Sequence, residues 1–136
     1  MSNYEKQLLG NRRLGTVTAV AADPTLTLTF DGADEERRTH CSIAVEFYSE
    51  STGTTVVAPT AGTLTYSWTE WTLPGASLTP DNQGSLSSGV INLASGTNRP
   101  VDFVAPGHVK TVSVALSSIS GNGVTHARLK FVSNLA

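Results

Sequence analysis

The chain has 136 residues, 39% hydrophobic, 15% charged and 7% aromatic, which supports one core and is too short for two independent domains, so residues 1–136 are read as a single domain. Eleven acids against nine Lys and Arg leave a formal charge of -2, which excludes a bulk electrostatic grip on nucleic acid or on an anionic membrane surface. The lone Cys41 excludes an internal disulfide framework, and the abundance of Ser and Thr, about a quarter of the chain, favours strands and turns.

From the N-terminus, Tyr4 to Leu9 is the only helical candidate and is too short to be stable without docking. Met1 to Leu14 reads as an N-terminal arm that a neighbour could receive, with Tyr4, Leu8 and Leu9 among polar residues and Arg12 and Arg13 near its end. A strand or cap on its own domain is the other reading. The basic residues ahead of Leu14 to Ala22 imitate a secretory leader, but the run alternates Thr with apolar residues at a strand period and is read as structure. No stretch approaches the roughly 18 apolar residues of a membrane span. No Asn-x-Ser/Thr acceptor occurs, so an intracellular or particle-bound setting is expected.

Val17 to Ala21 and Leu26 to Phe30 alternate on either side of Asp23-Pro24 and are expected to be two strands joined by a tight turn. His40 to Tyr48 gives the clearest half-buried strand, with Cys41, Ile43, Val45 and Phe47 on one face and Ser42, Ala44, Glu46 and Tyr48 on the other. A weaker strand is expected at Thr54 to Ala58. A longer one at Thr63 to Trp71 places Leu64, Tyr66, Trp68 and Glu70 together. Pro74 to Gly89 reads as a long turn-rich stretch, after which strand patterns resume at Val90 to Ala94, Val101 to Ala105, Val109 to Ile119 and Val124 to Val132. Ser120-Gly121-Asn122-Gly123 between the last two is the strongest hairpin signal, because Asn-Gly takes positive φ cheaply. The pattern predicts an all-β chain: an antiparallel β-sandwich, of jelly-roll type, with eight or nine strands, a barrel being the alternative.

Candidate chemistry is sparse. His40 and Cys41 are adjacent and, in a strand, point to opposite faces, so they form no dyad. His40, His108 and His126 lack the spacing of a metal site, and the acidic run Asp31 to Glu36 lacks the ligand order of a calcium loop. No phosphate-cradling glycine loop and no nucleophile elbow occur. The expectation is a protein without catalytic residues, metal or cofactor. Tyr66 and Trp68 share a face that suits either a sugar platform or a sandwich core, while Trp71 is expected on the opposite face. No Lys or Arg occurs from Thr39 through Asn98, whereas Arg99, Lys110, Arg128 and Lys130 follow, a distribution that suits contact between the basic end and an acidic neighbour.

The order Phe47-Tyr48-Ser49-Glu50-Ser51-Thr52-Gly53, then Pro59-Thr60-Ala61-Gly62-Thr63, with Arg99-Pro100-Val101-Asp102-Phe103 and Pro106-Gly107 later, resembles small virion proteins of tailed bacteriophages over roughly residues 43 to 132. Within that group the chain looks most like the capsid cement or decoration proteins. The resemblance implies a non-enzymatic protein made in the host cytoplasm and carried on the capsid surface of the virion. It would bind the major capsid protein and itself as a symmetric homo-oligomer, acting through buried area and avidity. No functional residue transfers with the resemblance. The residues themselves suggest Tyr4, Leu8, Leu9, Arg12, Arg13 and Trp71 as partner contacts. A carbohydrate-binding or host-attachment module and a tail or head-completion protein are the alternatives.

Overall fold

The run of residues 40–47 alternates, and in the computed structural model Cys41, Ile43, Val45 and Phe47 are all at most 3% exposed. The structure describes residues 11–30, 38–71, 80–95, 98–104 and 109–135. The helical candidate at Tyr4 to Leu9 and the acidic run lie outside them. The described residues carry ten strand segments: β1 (Asn11–Leu14), β2 (Thr18–Ala19), β3 (Thr25–Thr29), β4 (Arg38–Tyr48), β5 (Val56–Val57), β6 (Ala61–Trp71), β7 (Pro80–Asn92), β8 (Val101–Val104), β9 (Val109–Ser120) and β10 (His126–Leu135). Two of these are only two residues long.

The strands form two antiparallel sheets. One has the order β1-β10-β4-β5, with β2 also on β10 and β8 also on β4; the other runs β3-β9-β6-β7. In the first sheet β1 and β2 share one edge of β10, and β5 and β8 share the far edge of β4. Between β5 and β8, Asn98 donates its Nδ2 to Val45 O at 2.8 Å, satisfying a carbonyl that neither short strand reaches. The sheets face each other across one core, to which Leu129 and Phe131 of β10 and Leu64 and Tyr66 of β6 contribute with at most 1% exposure. Phe30 meets Phe131 across the sheets with ring centroids 4.7 Å apart, and Trp68 stacks on Phe103 at the same separation.

Three sequence expectations are corrected. The strands flanking Asp23-Pro24 do not pair with each other: β2 joins β10 and β3 joins β9, so the turn carries the chain between sheets. Asp23, at φ 51, accepts Ser118 N–H on its carboxylate at 2.8 Å and anchors that crossing. The Gly121-Asn122-Gly123 turn is likewise a crossing and not a hairpin, because β9 and β10 belong to different sheets. Its positive φ values of 108, 53 and 75 suit the residues chosen, but Asn122 Nδ2 donates to Ala58 O at 2.7 Å and Thr60 N–H to Ser120 O at 2.9 Å, binding the turn to the segment before β6. Finally, part of the expected turn-rich stretch is strand, since β7 begins at Pro80. As the outer strand of its sheet, β7 needs a ladder on one side only, which tolerates its glycines and a proline at the first position.

β9 shows how bulges extend a buried face. Val112, Val114 and Leu116 alternate inward, yet Val109 and Ile119, each three residues away from that series, are also buried. The β6–β9 register slips at both ends, between Thr69 and Glu70 and between Ala61 and Thr63, and each slip returns an apolar side chain to the core.

The turn after β4 has its own fastener. Glu50 accepts the N–H groups of Thr54 and Thr55 at 2.8 and 2.9 Å, and the Thr55 hydrogen bonds, followed by the backbone of Thr54, hold its carboxyl down from 4.5 to about 2. A lowered folded-state value stabilises the fold above pH 4.5 and is lost as pH falls toward about 2. Acid titration of stability is therefore expected to be shallower over that window for Glu50→Gln than for the parent. Identical acid limbs in chemical denaturation would refute the assignment.

Candidate interaction surface

The outer face of the first sheet carries Arg12, Glu46, Arg128 and Lys130. Because β1 pairs with β10 so that Arg12 meets Val132 and Leu14 meets Lys130, alternation turns these four side chains outward together. Two cations occupy one diagonal and two apolar groups the other. Leu14 is 61% exposed and Val132 42% exposed. One strand further in, Lys130 Nζ lies 3.0 Å from Glu46 Oε2.

Beside this square, Tyr48 is the surprise on the face expected to be wet, since it is 1% exposed. The Arg128 guanidinium lies 5.9 Å from its ring centroid, and its hydroxyl donates to Glu46 Oε1 at 2.6 Å. Burial first, then the Glu46 carboxylate, push the Tyr48 hydroxyl up to about 12. That hydrogen bond is also the largest influence lowering the Glu46 carboxyl, against burial and with help from Lys130 and Arg128. The charge asymmetry along the chain is thus met partly inside one molecule, where basic β10 lies against Glu46 of β4.

The proposed contact residues separate. Arg12 sits in the outward square. Arg13, one residue on, points the other way, with its guanidinium 5.6 Å from the centroid of the Phe30 ring at the margin of the core. Residues 11–14 of the expected arm are a strand of their own domain, whereas Tyr4, Leu8 and Leu9 lie outside the described residues. Trp71 ends β6 opposite Pro80, and its side chain is outside the described part. Lys130 was singled out from sequence only as one of the four basic residues suited to an acidic neighbour, and Val132 not at all; the signal of Val132 is alternation on the polar side of the last strand, which marks any solvated face equally well.

Tyr66 and Trp68 do not form an exposed platform. Tyr66 is 0% exposed, and Trp68 is half-buried against Phe103. Tyr66 Oη, Trp68 Nε1 and Ser133 Oγ are buried without hydrogen-bond partners, and burial pushes the Tyr66 hydroxyl up to about 12 against a smaller opposing effect of Arg99.

The two described histidines do not converge. His126 pairs with Tyr48 and Asn134 with His40, so the two described histidines sit eight positions apart along β4, about 26 Å at a strand rise of ~3.3 Å. His108 lies outside the described residues. His40 instead borders an open recess of about 500 Å³ with Ser42, Asp102 and Val132. Among the described residues no group of three or more His, Cys, Asp or Glu is placed to hold a metal ion. No described helix is long and apolar enough to cross a membrane. No protein-family model matches the chain, and no curated protein matches it.

Proposed function

We propose that the chain is a non-enzymatic virion structural protein of the capsid cement or decoration kind, a jelly roll that binds and stabilises a bacteriophage shell. The strand order supports the jelly-roll reading. With β1 and β2 taken as one edge strand and β5 set aside, the chain order of the strands is 1-8-3-6 across one sheet and 2-7-4-5 across the other, which is two Greek keys. The observation that carries the functional reading is the outward square of Arg12, Leu14, Lys130 and Val132, an apolar spot framed by cations on two paired strands. Its chemistry suits an acidic, partly apolar surface on the major capsid protein. Weak contacts of this size gain strength by repetition over a lattice.

Purified chain is expected to co-sediment saturably with shells stripped of accessory proteins, at a fixed ratio to the major subunit, and to raise shell melting temperature. Leu14→Asp and Arg12→Glu are each expected to weaken shell binding by about tenfold or more, since both change the apolar and cationic match without touching the core. No shell binding by the parent chain overturns the reading, and retention on glycan-coated beads instead would replace it with an attachment module.

A further inference from the structure

Each sheet edge presents backbone groups that another strand could pair with, and most edges here are blunted. β1 carries Arg12 and Arg13, β5 is two residues long, β8 is four, and β7 starts at a proline with register slips along its length. β3 has none of these devices. Its sequence Thr25-Leu26-Thr27-Leu28-Thr29 contains no charge, proline or glycine, and among the described residues no strand pairs with its far side.

The direction of its backbone groups follows from two hydrogen bonds. Leu116 N–H donates to Pro24 O at 3.0 Å and Phe30 N–H donates to Lys110 O at 2.8 Å, so the even-numbered residues bond to β9. By the alternation of an antiparallel ladder, the N–H and C=O of Thr25, Thr27 and Thr29 then face the open edge. An open recess of about 270 Å³ lies alongside, lined in part by Thr25 and Thr27, by Thr18 of β2 and by Thr16 in the link before it.

We propose that β3 pairs antiparallel with β3 of a second copy about a two-fold axis at Thr27, joining two four-stranded sheets into one. The strand reads the same in both directions, and its centre is one of the edge-facing residues. Thr27 therefore meets Thr27 of the copy, Thr25 meets Thr29, and Leu26 meets Leu28. Every edge-facing group falls opposite another, giving about six backbone hydrogen bonds across the axis. Leu28, half-buried in one copy, comes to lie beside the buried Leu26 of the other. No charged side chain is on either strand, so the copies meet without like charges opposed. The contact uses the edge of the second sheet and leaves the outer face of the first free, so self-association and shell binding fail or succeed separately.

Sedimentation velocity from micromolar to millimolar concentration is expected to reveal a reversible species of twice the 14.3 kDa chain mass. Thr27→Lys puts a cation opposite its own copy and is expected to raise the dimer dissociation constant about tenfold or more, with the thermal midpoint of the monomer little changed. Cysteine trapping decides the matter even where that variant folds poorly. Thr27→Cys is expected to form a disulfide-linked dimer readily under mild oxidation, while Val90→Cys, exposed on the opposite edge strand, is not; Cys41 is buried and does not compete. A parent chain that stays monomeric throughout, a dimer indifferent to Thr27→Lys, or equal trapping at both positions would overturn the proposal.

Discussion

Gly121→Ala is expected to lower folding stability by about 2–4 kcal/mol, read as a shift in the denaturation midpoint. A Cβ there would collide with the Thr60 hydroxyl and stand 2.7 Å from Thr60 N, and the residue sits at φ +108, where an L side chain is strained whatever the space. The collision falls on the group that ties the crossing down, because Thr60 N–H is already bonded to Ser120 O at 2.9 Å. Relief therefore needs the turn to leave the start of β6. Gly123→Ala is the internal control. It shares the same turn and a φ of +75, but nothing lies within 4 Å of its added carbon, so only conformational strain is incurred, about 1–2 kcal/mol. Thr60→Ala in the Gly121→Ala background removes the hydroxyl collision but not the backbone one, and recovers only part of the loss. Equal effects at positions 121 and 123 would show that the contact with Thr60 does not govern the crossing.

The same turn marks where the sequence was legible and where it was not. Glycine and asparagine at 121–123 announce positive φ correctly, because that requirement is local. Whether the next strand folds back on its predecessor or crosses to the other sheet is decided by remote partners: Ala58, Thr60 and Tyr48, whose carbonyl accepts Thr125 N–H. Asp23 repeats the lesson, since its partner Ser118 is 95 residues away. Period-two burial was legible on the core-facing side of β4, from Cys41 to Phe47, and in the middle of β6, at Leu64 and Tyr66, whereas the burial of Tyr48 on the other face of β4 was not. β9 was legible in extent but not in detail, as its two bulges put Val109 and Ile119 out of phase and nothing local announces a bulge. The polar first half of β7 was missed because an outer strand is held by backbone pairing, which composition does not record. The outward square on β1 and β10 had no local signal either, since it exists only through the register of two strands from opposite ends of the chain.

Phe131→Ala is expected to lower folding stability by about 3–5 kcal/mol. Phe131 is 1% exposed on central strand β10, opposite Ile43 on β4 and Arg13 on β1, and its ring reaches across the sandwich to Phe30, also 1% exposed. Their centroids are 4.7 Å apart at 48°, a tilted contact that contributes beyond its buried area. Removing the ring leaves a cavity between sheets whose neighbours are fixed by ladders on both sides, so little collapse can refill it. Arg13→Ala separates the roles within the same cluster. The guanidinium lies over the Phe30 ring at 5.6 Å and is exposed to solvent, so its loss is expected to cost only about 0.5–1 kcal/mol. If Arg13 instead served a partner as Arg12 is proposed to do, Arg13→Ala would leave stability untouched and weaken shell binding. A measurable stability loss with unchanged binding places Arg13 at the margin of its own core, and leaves Arg12 as the arginine of β1 that faces the shell.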